Sequence, residues 1–258
     1  MHDFGDLVYL DVHKTGSGFV SKFLSAIMPE REVSRRKHAR IGERVNGEVV
    51  TPFKPDATYF ITARNPFSQY LSLYKFGLAK RGSLYTTLQK RGKADLYSDA
   101  SADGFFEWLD LVLDPKNSHL LGGKYKLTDV ESIGLMSFRF IALSMSDPLA
   151  KIKGKKYSEV SDIFHENRIW SFMIRQEGLT DNLKKAVDNE LVPWIADREY
   201  AKSVLDEMPV DKPGLGFKVK ESEAPRDLLR RLIEKEDFLY RNFYNEKKLA
   251  LEKMVGSV

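Results

Sequence analysis

The hydrophobic pattern of the chain alternates between short apolar runs and segments in which apolar residues recur at helical spacing. The apolar runs predict strands at about 7–13, 58–63 and 168–174. The helical spacing predicts helices near 18–28, 39–46, 67–79, 101–113, 134–146, 179–190 and 226–243. Strands that alternate with helices are typical of an α/β fold with a central parallel sheet and helices on both faces.

Length, charge and cysteine content limit the number of domains and the kinds of site that the chain can contain. The 258 residues contain no clear linker, so we expect one domain spanning residues 1–258. A net charge of +4 suits an anionic ligand but does not indicate nucleic-acid binding. The lack of cysteine excludes disulfides, thiolate metal sites and a cysteine nucleophile. Neither a secretion signal nor a run of about 18 apolar residues is visible, so we expect a soluble, cytoplasmic protein without a membrane span.

The most informative part of the sequence is a small polar loop that follows the apolar run Val8–Val12. A helical pattern comes next, so the loop stands where a helix N-terminus offers free N–H groups to an anion. Lys14 adds a mobile positive charge, and Thr15 and Ser17 add hydroxyl donors. The loop is interpreted as a site for phosphate or sulfate oxygens. An ordinary solvated turn is the alternative, because small residues are common in such turns.

The loop does not fit the P-loop of ATP- and GTP-binding proteins. That motif reads Gly-x-x-x-x-Gly-Lys-Ser/Thr, and Val8 and His13 occupy its two glycine positions here. The glycines of this loop, Gly16 and Gly18, come after the lysine instead. The spacing therefore disfavours a magnesium-nucleotide hydrolase.

A second predicted strand-to-helix turn carries an arginine. The strand at Thr58–Ala63 stops at Arg64, and Pro66 suits the first turn of the helix that follows. Ser72 lies about two helical turns beyond Arg64. A nucleotide hydrolase usually carries a metal-binding carboxylate at the end of such a strand. The guanidinium therefore indicates an anion site that works without magnesium.

Three cations follow predicted strands, namely Lys14, Arg64 and Arg175. The carboxyl ends of parallel strands meet at one edge of a sheet, where α/β proteins bind their ligands. We therefore expect these three side chains to lie at one edge of the sheet.

The first loop resembles a motif of the sulfotransferases that use 3′-phosphoadenosine 5′-phosphosulfate (PAPS). In that family the 5′-phosphosulfate loop commonly reads Pro-Lys-Thr-Gly-Gly/Ser-Thr-Ser. Residues 14–17 match this pattern, with His13 in place of the proline and Gly18 in place of a threonine. The resemblance is strongest to the carbohydrate branch that includes the heparan sulfate 2-O and 6-O enzymes.

The second turn resembles the 3′-phosphate motif of the same family, which commonly reads Arg-Asp/Asn-Pro-x-x-Arg-x-x-Ser-x-Tyr. Residues 64–66, Ser72 and Tyr74 match it, and Gln69 stands where the second arginine often is. Weaker likenesses follow the same order along the chain. They are Lys37–Arg40, Ile169–Leu179 and Ser222–Asp227.

The resemblance implies a P-loop NTPase-like, three-layer fold and transfer of a sulfuryl group from PAPS to a carbohydrate hydroxyl. The product would be 3′-phosphoadenosine 5′-phosphate (PAP), and no metal would be required. Lys14 would stabilise charge in the transition state, and His38 would be the base. The segment 75–165 would be a helical insertion that shapes the acceptor site. The residues expected to bind the cofactor are Lys14, Thr15, Gly16, Ser17, Gly18, Phe19, Arg64, Ser72, Ser222 and Arg226.

Two questions stay open at this level. The base has alternatives in His13, His119 and His165, and in Glu177, since other branches of the family use a carboxylate. The function has alternatives in a nucleotide phosphotransferase with a degenerate P-loop and in a non-catalytic anion- or glycan-binding module. The sequence does not indicate the acceptor or the oligomeric state.

Overall fold

The computed structural model describes residues 1–122, 124–209 and 217–256. The chain divides into two compact units. The first unit contains Met1–Arg64, Arg139–Lys151 and Phe164–Lys212, and the second contains Asn65–Phe138, Ile152–Ile163 and Pro213–Val258. A single sulfotransferase domain over the whole chain stays a prediction.

The secondary structure alternates strands and helices in the first unit and is helical in the second. The strands are β1 (His2–Asp3), β2 (Leu7–Leu10), β3 (Ser34–Arg35), β4 (Arg44–Val45), β5 (Glu48–Val49), β6 (Thr58–Ala63) and β7 (Phe172–Arg175). The α-helices are α1 (Ser17–Ile27), α2 (Pro66–Leu78), α3 (Ser83–Lys90), α4 (Ala102–Leu113), α5 (Leu135–Leu143), α6 (Pro148–Ile152), α7 (Tyr157–Asn167), α8 (Leu179–Asp188), α9 (Arg198–Glu207), α10 (Arg226–Lys235), α11 (Asp237–Phe243) and α12 (Asn245–Val255). Short 3₁₀ helices occupy Pro29–Arg31, Ala94–Tyr97, Pro115–Leu120, Tyr125–Leu127 and Glu221–Glu223.

Five strands form one mixed sheet in the order β3-β1-β2-β6-β7. The strands β2, β6 and β7 are parallel, whereas β1 is antiparallel to both β2 and β3. The α/β class is confirmed, but the expectation of an entirely parallel sheet is wrong at β1 and β3. A tight turn at residues 4–6, with Gly5 at a φ of 88°, joins β1 to β2. So short a connection allows only antiparallel pairing.

Alternate residues of the parallel strands build the core of the first unit. Leu7 and Tyr9 of β2 and Phe60 of β6 pack in one cluster with apolar residues of α1, α8 and α9. Phe60 stacks on Phe172 of β7, with ring centroids 5.0 Å apart. Each large apolar side chain buried in this way contributes about 1.5–3 kcal/mol. This packing fixes the strand ends, and so it positions the loops that follow them.

The helix expected at 39–46 does not form, and residues 44–49 form a β-hairpin instead. Strands β4 and β5 pair in antiparallel register through residues 44–45 and 48–49. The turn residues Asn46 and Gly47 have φ values of 52° and 88°. Two positive φ values define the type I′ turn, which the Asn-Gly pair favours. The turn chemistry therefore overrides the apolar spacing of this segment.

The long helix predicted at 226–243 is interrupted at Glu236, which is fully buried between α10 and α11. Its carboxylate accepts hydrogen bonds from the hydroxyl of Tyr70 (2.5 Å), the N–H of Met136 (3.1 Å) and both the N–H and the hydroxyl of Ser137 (2.7 Å each). Since the N–H groups of Met136 and Ser137 belong to the first turn of α5, the carboxylate caps that helix. Burial raises the pKa of Glu236, and its four donors oppose that shift.

The described residues of the segment 75–165 contain α3 to α6 and most of α7, and an insertion that shapes an acceptor site stays a prediction. An aromatic cluster supports the second unit here. Trp108 is fully buried on α4, and its indole N–H donates to the hydroxyl of Tyr97 at 2.8 Å.

Candidate functional site

The three parallel strands of the first unit carry the predicted cations at their carboxyl ends. Lys14 lies in the loop after β2, Arg64 directly follows β6, and Arg175 ends β7. Ala63 and Arg175 are register partners, which makes the ends of β6 and β7 neighbours. Nη1 of Arg64 donates to the carbonyl oxygen of Lys14 at 3.3 Å. The structure therefore brings these residues to one edge of the sheet.

The sign of φ alternates along the loop from Lys14 to Ser17, as it does in anion-binding nests, and we call this loop the nest. The angle φ is 65° at Lys14 and 85° at Gly16, and it is negative at Thr15 and Ser17, so its sign alternates over four residues. Residues of alternating hand turn their N–H groups toward one point, which makes a concavity for an anion. Gly16 is also the N-cap of α1, and the first turn of α1 contains no acidic residue. The helix N-terminus thus adds its positive end to the nest.

Gly16 and Gly18 have different surroundings within this loop. A Cβ on Gly16 would lie 2.7 Å from Cδ2 of Leu179 and 3.5 Å from Cγ of Gln176. A Cβ on Gly18 would meet nothing within 4 Å. The start of α8 therefore lies beside the nest, and the backbone at Gly16 requires the smallest residue.

The side chain of Thr15 faces the sheet. Its Oγ1 donates to the carbonyl oxygen of Val12 at 2.9 Å and lies 2.6 Å from Oγ1 of Thr62. Oγ1 of Thr62 lies 2.8 Å from the hydroxyl of Tyr9, and all three side chains are buried. This chain of hydroxyl groups anchors the loop to β2 and β6. The Thr15 hydroxyl is therefore engaged with Val12 and Thr62 in this structure, and binding of the anion by Thr15 stays a prediction.

His38 is held by Asp11, the residue that follows β2. The N–H of His38 donates to the Asp11 carboxylate at 2.8 Å, and the ring Nδ1 lies 2.5 Å from the carbonyl oxygen of Asp11. A carbonyl oxygen only accepts, so Nδ1 carries the proton and Nε2 is the acceptor of the neutral ring. Burial lowers the pKa of His38, while Asp11 acts in the opposite direction. A neutral ring with Nε2 as acceptor is the form that a general base needs.

The ring of His13 stacks on the ring of His38. Their centroids are 3.7 Å apart and their planes differ by 20°. Burial, followed by the positive charge of Arg139, lowers the pKa of His13 far below its ordinary range. His13 is therefore a poorer proton acceptor than His38, whose cationic form Asp11 supports.

The other candidate bases lie in different places. His119 is exposed in the second unit, where its Nδ1 lies 2.9 Å from the carbonyl oxygen of Lys116. His165 is exposed near the end of α7. Glu177 is exposed between β7 and α8, close in sequence to Arg175, and it stays an alternative base.

Three predicted cofactor ligands lie in the second unit, namely Ser72, Ser222 and Arg226. Ser72 is half-buried on α2, whereas Ser222 and Arg226 are exposed. One turn after Ser72, Nζ of Lys75 donates to the carbonyl oxygen of Phe217 and lies 4.7 Å from the centre of its ring. The chain that leads to Ser222 is thereby attached to α2. Binding of the 3′-phosphate by Ser72, and of the cofactor from the C-terminal side by Ser222 and Arg226, stays a prediction.

Sequence patterns did not identify Asp11 and Thr62 as members of the site. Asp11 lies between Leu10 and Val12 in an apolar run, and Thr62 lies within a buried strand. A polar side chain in such a position needs a partner, and this requirement is the signal that would have pointed to both.

Residues 1–122, 124–209 and 217–256 contain no cluster of three or more His, Asp or Glu side chains arranged to hold a metal ion. No helix within the same residues has the length and apolar character needed to cross a bilayer. Comparison with protein-family models, curated proteins and solved structures finds no match. Any functional proposal therefore depends on the site itself.

Proposed function

We propose that this chain is a sulfotransferase that transfers a sulfuryl group from PAPS to a hydroxyl group of a carbohydrate. The observation that carries the proposal is the nest at residues 14–17, with Arg64 at its side and the neutral base His38 held nearby by Asp11. Transfer of an anionic group to a hydroxyl requires an anion site and a base in one place. We also propose a P-loop NTPase-like architecture, which the parallel strands β2, β6 and β7 and the anion loop after β2 support.

The residues present fit the charges of PAPS. The N–H groups of the nest and the ammonium of Lys14 suit the 5′-phosphosulfate, and the guanidinium of Arg64 suits the 3′-phosphate. Because a Cβ on Gly16 would meet Leu179, the backbone of the nest requires glycine at this position. When bound, PAPS supplies a sulfuryl group attached to a phosphate that is a good leaving group.

In this proposal His38 and Lys14 have separate tasks. Nε2 of His38 accepts the proton of the attacking hydroxyl while its oxygen bonds to sulfur and the bond from sulfur to the 5′-phosphate oxygen breaks. Lys14 stabilises the negative charge on that phosphate oxygen, which is greater in the transition state than in the ground state. The carbonyl oxygen of Asp11 orients His38 by accepting a hydrogen bond from the Nδ1–H group.

Calorimetric titration with 3′,5′-ADP, 5′-AMP and magnesium-ATP tests the anion site. We expect a clear preference for 3′,5′-ADP without magnesium. Arg64→Ala should weaken that binding about 10- to 100-fold, which corresponds to the loss of charged hydrogen bonds. Arg31→Ala, an exposed arginine of the same unit, should leave it unchanged. Equal affinity for 5′-AMP would contradict a 3′-phosphate site, and preference for magnesium-ATP would indicate a nucleotide phosphotransferase.

Sulfuryl transfer from PAPS to a panel of carbohydrates tests the reaction. We expect Lys14→Ala and His38→Ala each to lower kcat about 100- to 1000-fold, the usual effect of losing one charge-stabilising or proton-transfer group. His38→Ala should retain the affinity for 3′,5′-ADP. Lys22→Ala, on the exposed side of α1, is the matched control. Intact binding without turnover on any hydroxyl acceptor would indicate a non-catalytic module.

A further inference from the structure

His13 occupies the loop position at which the sulfotransferase 5′-phosphosulfate motif commonly has a proline. Its ring covers one face of the His38 ring. A centroid distance of 3.7 Å leaves no room for water between the rings. Two imidazoles this close also disfavour being charged together, because like charges repel strongly at such a distance. The pair therefore takes up one proton at a time, and its surroundings decide which ring receives it.

The charged groups around the pair act differently on the two rings. Lys37 lowers the pKa of both, and the amino group of Met1 acts in the same direction. Arg139 of α5 adds a further lowering effect on His13. Asp11, which contacts His38 through its carboxylate and its carbonyl oxygen, raises the pKa of His38. His38 is thus the ring that accepts a proton, and His13 is the ring that stays neutral.

The contacts of His38 also define its orientation. The hydrogen bond from Nδ1 to the Asp11 carbonyl fixes one point of the ring, and the ring of His13 limits rotation about that point. Together they direct Nε2 away from Asp11. Removing the ring of His13 would open one face of His38 to water and permit other rotamers.

We propose that His13 is a positioning residue, whose neutral ring stacks on His38, excludes water from one face and holds Nε2 in a single direction. This inference rests on the proposed function only in calling His38 the base, since the stacking of the two rings is independent of any substrate. It assigns the two histidines unequal roles, with His38 as the base and His13 as its support.

Nitrogen-detected NMR of the histidine rings in the full chain tests the inference without any substrate. We expect His38 to show one neutral tautomer, protonated at Nδ1, and a titration midpoint below the ordinary value of about 6.5. His13→Phe, which keeps a ring but has no nitrogen, should preserve both properties. His13→Ala should raise the midpoint, because it exposes one face of the His38 ring to water, and it should mix the tautomers. His119→Ala, at an exposed histidine of the second unit, should change neither.

A pH profile of kcat/KM then separates positioning from direct proton transfer. The acid limb should move with the His38 midpoint in His13→Ala and stay in place in His13→Phe. An unchanged His38 midpoint and tautomer in His13→Ala overturns the inference, and so does a loss of turnover in His13→Phe as large as in His38→Ala. If His13→Ala does not melt cooperatively, His13→Asn replaces it. If the NMR results are as expected but no carbohydrate is sulfated, the proposed function fails while the stacking role stands.

Discussion

Each unit of the protein contains a cluster of polar groups, and the two clusters are built in opposite ways. In the second unit, the Glu236 carboxylate has four hydrogen-bond donors around it and is fully buried. In the first unit, Lys14 and His38 are half-buried and have left-handed φ values of 65° and 56°. The ring of His13 beside them has a strongly depressed pKa.

This difference separates a structural cluster from a candidate site. A buried network whose groups are all satisfied stabilises one conformation and offers little to a ligand. Left-handed backbone at polar side chains that stay partly exposed is, in contrast, typical of functional sites. The hydroxyl chain from Tyr9 to Thr15 shows both principles in one place, because a satisfied network beneath the loop supports the strained backbone above it.

The largest expected effect is that of removing the buried carboxylate. Glu236→Ala should lower the free energy of unfolding by about 3–5 kcal/mol, because it leaves several buried donors unpaired and creates a cavity. Urea unfolding measures this, with Glu234→Ala on the exposed side of α10 as the control, which should change it by less than about 0.5 kcal/mol. A loss below about 1 kcal/mol for Glu236→Ala would refute the structural role of the cluster.

The hydroxyl chain should give the next largest effect. Thr62→Val keeps the shape of the side chain but removes the acceptor for the buried Tyr9 hydroxyl, so we expect a loss of about 2 kcal/mol. Thr58→Val, at the half-buried start of the same strand, is the matched substitution and should be nearly neutral. Chemical denaturation of both variants checks the difference, and equal stabilities would show that the chain of hydroxyls does not anchor the loop.

The two glycines of the nest loop should respond with opposite signs. Gly16→Ala forces a side chain into left-handed backbone and toward Leu179, so we expect a loss of about 1–2 kcal/mol and weaker binding of 3′,5′-ADP. Gly18→Ala lies in the first turn of α1 with open space around it, so we expect a gain of up to about 0.5–1 kcal/mol. Thermal melting with and without 3′,5′-ADP measures both effects. The same sign for both variants would contradict the described backbone.

The smallest expected effect is a loss of folding stability in mild acid. His13 has a folded-state pKa far below the unfolded value of about 6.5, so the unfolded chain binds more protons once the pH falls through that value. The stability that this group contributes is therefore complete well above pH 6.5 and declines as the pH falls through that value, by about 0.8 kcal/mol at pH 6. Urea midpoints at pH 8 and pH 6 test this, and His13→Phe should reduce the pH dependence. If the dependence is the same in both proteins, His13 is not the group responsible.

Sequence patterns predicted the elements whose signals are local. The strands β2 and β6 and the turns after them follow from apolar runs that end in Lys14 and Arg64, and the helix after Arg64 follows from Pro66. The hairpin at Asn46 and Gly47 carried an equally local signal, but apolar spacing alone did not reveal it.

Other features depend on contacts between distant segments, which no local pattern contains. Strand β1 has only two residues and exists through its partners β2 and β3. The contact of His38 with Asp11 joins residues that are 27 positions apart, and the cap that Glu236 gives to α5 spans about 100. Sequence periodicity does not predict such long-range pairings. The residues that form the two clusters could therefore be identified only from the structure.

The left-handed backbone at Lys14 should affect which residue laboratory selection retains at this position. A lysine in this region costs roughly 1 kcal/mol or more relative to glycine, which adopts it freely. Laboratory selection for heat resistance alone should therefore enrich glycine or asparagine at this position, and the surviving variants should have discarded the cation. If the proposed function holds, a screen that also demands sulfuryl transfer should retain the lysine and select stabilising substitutions at other positions.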